Sequence, residues 1–346
     1  ANRTASGKRR REDDFTAGGI NNRRPDRAVI AYANLIRRHF KQTTPIVLGG
    51  IEASLRRIAH YDVWSNRVRR SVLIDAKADF LLYGMAENTV LELAARIREG
   101  RDVSDLRGLC YAAAERKPGF QELPSWEEAA ADPAAFEKMF LVFYRNQDHR
   151  TVQGLCQKQD SRWLIHNPPA TPLTEAEMDD VHGMDFARAV HPSHRRDGEV
   201  RALETVRFSI ATHRGCYGGC HFCAIAVHEG RQVSSRSETS ILREAELLAS
   251  LPGFHGRIRD VGGPTANMYG FECRKKLLLG ACPDRNCLYP DVCENLRPDH
   301  RRQIALLRKL REVPGVKQAI VASGIRYDIL LADRKYGVPY LREVVR

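Results

Sequence analysis

Apolar and polar positions along the chain alternate between two periods, and the first hundred residues show both. Asp26 to His39 carries apolar residues at helical spacing. Pro45 to Gly50 (PIVLGG) and Ala78 to Gly84 (ADFLLYG) are short apolar runs ending in glycine, the pattern of buried strands. Asn88 to Arg98 predicts a helix with Leu91, Ala94, Ala95 and Ile97 on its apolar stripe. Helix and strand in alternation predict part of a doubly wound α/β sheet over residues 1–105.

The pattern is less regular from 106 to 200. It predicts an element over Leu106 to Ala114, a helix from Trp126 to about Phe136 and a strand near Arg162 to His166. Pro168-Pro169, Pro172 and His191-Pro192 break the chain. This stretch is expected to be a connecting region. Regularity returns after 200. Thr205 to Ala211 (TVRFSIA) predicts a strand with Phe208 and Ile210 on one face. Ser237 to Ser250 predicts a helix with Ser237 as N-cap and Ile241, Leu242, Leu247 and Leu248 as apolar positions. Further strands are expected over Arg257 to Val261 and Gln318 to Ala322, and a last helix from about Val338 to Val345.

Between that first strand and helix lies His213-Arg214-Gly215-Cys216-Tyr217-Gly218-Gly219-Cys220-His221-Phe222-Cys223. Three cysteines at Cx3Cx2C spacing in a glycine-rich loop can cover one face of a 4Fe-4S cube. Such a cluster normally takes four thiolates, so three leave one iron open. The thiols alone also allow zinc, with His221 as a fourth ligand. Strand, cysteine loop and helix form the first unit of a (β/α) barrel, whose functional groups gather at the strand C-termini.

This unit resembles the radical SAM superfamily, in which a Cx3CxΦC loop (Φ aromatic) follows the first barrel strand. Asp260-Val261-Gly262-Gly263-Pro264-Thr265-Ala266-Asn267-Met268-Tyr269-Gly270 narrows the resemblance to the YgiQ-type radical SAM proteins. So do Gly49-Gly50-Ile51-Glu52-Ala53-Ser54-Leu55-Arg56-Arg57, His60-Tyr61-Asp62 and Ala322-Ser323-Gly324-Ile325-Arg326-Tyr327-Asp328. The likeness runs from about Arg24 to the C-terminus. It implies that Cys216, Cys220 and Cys223 ligate a 4Fe-4S cluster whose open iron chelates S-adenosylmethionine (SAM), with Phe222 near the adenine. Reductive cleavage of SAM would then yield a 5′-deoxyadenosyl radical that abstracts hydrogen from a substrate the sequence does not identify. It also implies an electron donor such as flavodoxin or ferredoxin.

The wider superfamily often has a Gly-Gly-Glu motif after strand two, but here Gly262-Gly263 precedes Pro264. Gly262, Gly263, Thr265 and Asn267 are therefore the expected contacts to the methionine end of SAM, because paired glycines permit close approach and positive φ. Arg236 is a further candidate for the carboxylate through its planar fork, the alternative being a solvated charge. Ser323 and Arg326, at the end of the third strand, are candidates for the ribose and carboxylate. Cobalamin is not expected, since the Asp-x-His-x-x-Gly signature of cobalamin-binding domains is absent.

A second group, Cys273, Cys282, Cys287 and Cys293, follows strand two at Cx8Cx4Cx5C, among Gly280, Pro283 and Pro290. With little apolar material around it, the group reads as an insert over 273–293 holding zinc or an auxiliary iron–sulfur cluster. Cys110 and Cys156 stand alone and read as structural.

Nine cysteines in 346 residues do not form a disulfide framework. Clustered thiols that must stay reduced point to a cytoplasmic protein. No apolar run approaches a membrane span, and no signal peptide precedes the first strand. The balance is basic, 55 Lys and Arg against 43 Asp and Glu, or +12. That charge admits a nucleic-acid partner, hence an RNA-modifying enzyme of methylthiotransferase type or a non-catalytic zinc- or cluster-stabilised nucleic-acid-binding protein. The run Lys8-Arg9-Arg10-Arg11 is answered by Glu12, Asp13 and Asp14 and reads as a solvated loop. The chain opens on Ala1 and supplies about three barrel units over 201–346, so it is expected to be truncated at both ends, and the piece is expected to lack full activity.

Overall fold

The computed structural model describes residues 8, 10–282 and 285–346. Arg9 of the basic run and Pro283 of the cysteine-rich stretch lie outside the described residues. The fold is α/β. Its first layer is a six-stranded sheet of β1 (Val47–Leu48), β4 (Phe80–Leu82), β5 (Leu109–Ala113), β8 (Arg162–His166), β7 (Leu155–Gln159) and β6 (Gln121–Leu123), in that order. A hairpin of β2 (His60–Asp62) and β3 (Arg67–Arg69) stands beside it.

This sheet differs from the expected doubly wound one. Only β1–β4 and β6–β7 are parallel, while β4–β5, β5–β8 and β8–β7 are antiparallel. The strands of 106–200 thus complete the sheet begun before residue 105, and the expected boundary there does not divide it. Leu155–Gln159 carries Cys156, Gln157 and Gln159 at buried positions, a polar pattern that hid the strand from a reading by hydrophobic period. The Trp126 helix breaks at Asp132, whose carboxylate caps a second helix, Pro133–Arg145, through the amides of Ala134 and Ala135.

The helix Glu87–Arg98 buries Thr89 and Leu93, not the expected stripe. Leu91 is 70% exposed and Ile97 is exposed too. The sheet receives Leu93 together with Leu82, Leu106 and Leu109, and that contact sets the helix rotation.

The second layer carries the three expected β/α units. β9 (Ser209–Ala211) pairs in parallel with β13 (Asp260–Gly262), and β12 (Arg257–Ile258) pairs in parallel with β14 (Gln318–Ala319). The helices Glu238–Ser250 and Arg301–Glu312 make the crossovers. Ser237 caps the first by accepting from the Ser240 amide. Ile241, Ala245 and Leu248 enter a core with Ile210, Val261, Leu307 and Leu310, whereas Leu247 is exposed. The last helix spans Gly337–Val344. At the other end, Asp13 is not a solvated answer to the basic run, because it is buried and bonds Arg24 Nε at 2.7 Å.

Candidate active site

The cysteine loop leaves the barrel strand through a short ribbon, β10 (His213–Arg214) against β11 (Ser234–Ser235). Gly215 then turns the chain with φ +84°, and a Cβ there would collide with the Gln232 carbonyl. The Glu229 carboxylate accepts from the Gly215 amide at 2.8 Å, and the Gly230 carbonyl accepts from the Cys216 amide at 3.3 Å. Cys216, Cys220 and Cys223 are free thiols of intermediate exposure. A Cβ on Gly218 would stand 3.3 Å from Cys216 Sγ and 3.6 Å from Cys220 Sγ, so both sulfurs flank this residue closely. The Gly218 amide donates to Cys216 Sγ at 3.3 Å, and Thr265 Oγ1 lies 3.6 Å from the same sulfur. Arg326 Nη1 donates to Cys220 Sγ at 3.4 Å. Among the described residues, no three Cys, His, Asp or Glu side chains converge on one point as ligands of a single ion. Phe222 is 93% exposed.

The double glycine after β13 has a packing reason. A Cβ on Gly262 would meet Ser323 Cβ and Oγ at 2.9 Å, and one on Gly263 would meet His213 Cε1 at 2.6 Å. Neither glycine has positive φ, so close approach alone explains the pair. His213 was not singled out from the sequence, yet it pins the site. Its Nε2 donates to the Thr265 carbonyl at 3.0 Å, which leaves Nδ1 as acceptor for the Thr212 hydroxyl at 2.9 Å. Burial holds this imidazole down to about 4, so it is neutral near pH 7. Its only sequence signal was its place at the strand end, three residues before the first cysteine.

Asn267 is fully buried and clamps Arg326: Nδ2 donates to the Arg326 carbonyl at 2.9 Å, and Oδ1 accepts the Arg326 amide at 2.8 Å. Asp328 holds the other side of the guanidinium through Nε at 3.0 Å and through Nη2. Ser323 is anchored on Asp260, whose Oδ1 accepts the Ser323 amide at 3.0 Å. Thr265, Arg326 and Cys216/Cys220 are thus brought together, while Asn267 and Ser323 support them from behind. Beside Cys220 a cavity of about 400 Å³ is lined by Gly219, His221, Asn286, Tyr289 and Arg326.

The Radical SAM N-terminal family model matches residues 1–209, more than half of the chain. A UPF0313 protein of Fusobacterium nucleatum subsp. nucleatum is 54% identical over the whole chain, and one of Thermotoga maritima is 45% identical over the whole chain. One of Methanocella arvoryzae is 48% identical over 97% of it. The chain belongs to the YgiQ-type radical SAM family. It spans 61%, 61% and 56% of the length of these relatives, respectively. Two structures of the radical SAM methyltransferase TsrM from Kitasatospora setae are more distant. One, with tryptophan and aza-SAM, gives a TM-score of 0.39 at 19% identity, covering 75% of the chain and 36% of TsrM. The other, with cobalamin and a [4Fe-4S] cluster, gives 0.37 at 20%, covering 73% and 36%. Likeness at that level carries no argument about activity.

Within this radical SAM chain, Arg236 is neither at the site nor solvated. It is fully buried, with Nη1 on the Ala211 carbonyl at 2.8 Å and Glu244 at 2.5 Å, and Nη2 and Nε on Ser240. No donor is left for a carboxylate, so its role is to lock the helix Glu238–Ser250 to the end of β9. The second cysteine group has more apolar material around it than its loop composition suggests. Cys273, Cys287 and Cys293 pack in a small apolar core with Tyr217, Leu288 and Leu296. The Cys293 amide donates to the Cys287 carbonyl at 2.9 Å, and Cys282 stands outside that core. Tyr217 belongs to the first loop and donates its hydroxyl to Phe271, so the two cysteine segments share one packing unit. Cys110 and Cys156 are buried in the sheet, and burial pushes the Cys110 thiol up to about 12. No described helix is long and apolar enough to cross a membrane.

Proposed function

We propose that this chain carries the reaction centre of a radical SAM enzyme, with Cys216, Cys220 and Cys223 as ligands of a 4Fe-4S cluster. The observation that carries the reading is Arg326, the N-cap of the helix Tyr327–Ala332, seated on Cys220 beside an open cavity. The donor set fits the group: three free thiols in one loop, two of them already receiving hydrogen bonds on sulfur from Gly218 and Arg326. When bound, such a cluster with SAM on its open iron supplies reductive cleavage of SAM and a 5′-deoxyadenosyl radical.

The chain's own part is to hold and position. Arg326, fixed by Asp328 and Asn267, offers its positive charge next to Cys220, where the SAM carboxylate would lie. Thr265 offers a hydroxyl beside Cys216. Exposed Phe222 is free to cover an adenine ring. Neutral His213 holds the Thr265 backbone. The second cysteine group would hold an auxiliary cluster or zinc, and the apolar core around three of its members would give that group a dry wall. A flavodoxin- or ferredoxin-like donor and a reducing, cytoplasmic setting complete the proposal.

The test is electron paramagnetic resonance of anaerobically reconstituted, reduced protein with and without SAM. The reading requires a 4Fe-4S signal that changes on adding SAM. Colourless protein with stoichiometric zinc and no iron signal would overturn it.

A further inference from the structure

Behind Arg326 a buried polar chain runs through Asn267 and His300 to Asp333. His300 stands at the N-cap position of the helix Arg301–Glu312 and is fully buried. Its ring stacks on Tyr340 with centroids 4.8 Å apart and meets Phe271 edge-on at 6.1 Å. Nδ1 lies 2.8 Å from Asp333 Oδ2, and the His300 backbone amide donates to the same oxygen at 2.9 Å. The other Asp333 oxygen accepts the Tyr336 amide at 2.9 Å. Across the ring, Nε2 lies 3.3 Å from Asn267 Nδ2.

These contacts leave one assignment of protons. Burial opposes the charge on Asp333, but the amides of His300 and Tyr336 outweigh it and hold the carboxyl below its usual range. A carboxylate only accepts, so Nδ1 carries the proton. Burial holds the imidazole below its ordinary value near 6.5, against the pull of Asp333 and Asp299, so it is neutral at pH 7. Burial also pushes the Tyr340 hydroxyl up, and that side chain carries no charge. Nε2 is therefore an acceptor, and Asn267 meets it with its amide nitrogen. The same orientation points Asn267 Oδ1 at the Arg326 amide and its other N–H at the Arg326 carbonyl.

Arg326 is the N-cap of the helix Tyr327–Ala332, and Asp333 is its C-cap. One imidazole thus grips both ends of that helix, Asp333 directly and Arg326 through Asn267. We propose that His300 is a positioning residue, which by this double grip sets where the Arg326 guanidinium meets Cys220. That the placement serves SAM rests on the reading above; the placement itself does not.

The iron-free whole chain at pH 7, labelled with nitrogen-15, tests it by two-bond proton–nitrogen correlation spectra. The His300 signal, assigned by its absence from a variant, should be that of the neutral Nδ1–H tautomer. A proton on Nε2 would leave Asn267 no acceptor and would overturn the proposal. His300→Phe keeps a ring between Phe271 and Tyr340 and removes both nitrogens, whereas the side-chain oxygen of His300→Gln can replace the acceptor. The Arg326 Nε–H resonance, identified by its loss in Arg326→Met, should move in His300→Phe and return in His300→Gln. After reconstitution, His300→Phe should bind SAM about fivefold more weakly, the effect of about one lost hydrogen bond, and His300→Gln should stay within about twofold of the parent. A resonance unmoved in His300→Phe, or equal losses in both variants, would reduce His300 to core packing. The tautomer is read in the unmodified chain, so it decides even where a variant misfolds. The spectra need neither iron nor SAM: a parent chain that binds no SAM would sink the cluster reading alone, and a wrong tautomer would sink this proposal alone.

Discussion

Arg326 and Cys220 are 106 residues apart in the chain, yet Nη1 of the one donates to Sγ of the other at 3.4 Å. The contact joins the N-cap of the helix Tyr327–Ala332, which follows β14, to the loop after β9. On the proposed reading, Arg326 would stand between the cluster and SAM. Arg326→Met should keep most of the fold, because Asn267 holds only the backbone of residue 326. It should weaken SAM binding about tenfold or more, equivalent to about 1.4 kcal/mol. Isothermal titration of reconstituted protein checks this, and unaltered affinity would remove Arg326 from the site.

Cys220→Ala should abolish both iron retention and reductive SAM cleavage, because the ligand must be a thiolate and alanine supplies none. Iron content and 5′-deoxyadenosine formation are the two readouts. A variant that still cleaved SAM reductively would refute the ligand assignment.

Arg236→Lys tests whether that arginine is structural. A lysine keeps the charge and loses the fork that serves Ala211, Ser240 and Glu244 together. Losing a buried hydrogen bond to a charged group costs about 1.5–3 kcal/mol, so Tm should fall by several degrees or more while SAM affinity of the folded protein stays unchanged. A selective loss of SAM affinity at constant Tm would return Arg236 to the binding site.

Gly263→Ala should be destabilising by about 1–3 kcal/mol, since its Cβ would press on the His213 ring at 2.6 Å. The displaced ring would loosen its bond to the Thr265 carbonyl. Thermal unfolding together with SAM affinity would show both effects falling in step.

Stability should also decline on acidification from about pH 6.5 to about pH 4. Burial holds His213, His60 and His182 each down to about 4, against an ordinary value near 6.5. Between those limits the unfolded chain binds more protons than the folded one. The stabilisation is therefore complete above 6.5 and is lost as pH falls toward 4. A pH series of Tm values should slope that way, and His213→Gln should flatten part of it.

The cysteine loop, its flanking strand and the capped helix after it were legible because each is a local pattern. Cx3Cx2C spacing, a short apolar run and a serine before a helical stripe need no distant partner to be read. The Gly262-Gly263 pair reads from sequence as close approach to a ligand with positive φ, whereas neither glycine has positive φ and the close approach is to the side chains of Ser323 and His213. Ser323 comes from the segment after β14 and His213 from β10. Arg236 shows the opposite failure. A cation after the loop suggested a ligand contact, and only the packed helix shows that Ala211, Ser240 and Glu244 engage every donor.

The amino-acid sequence alone determined the family, the three-thiol loop and the order of β/α units, because these reside in neighbouring residues and their period. It did not determine the strand pairing of the first layer, where polar Gln157 and Gln159 enter a buried strand, nor the rotation that leaves Val90 facing a cavity. Those depend on which face of each element finds a partner, and burial against distant residues decides that only when the whole chain has packed.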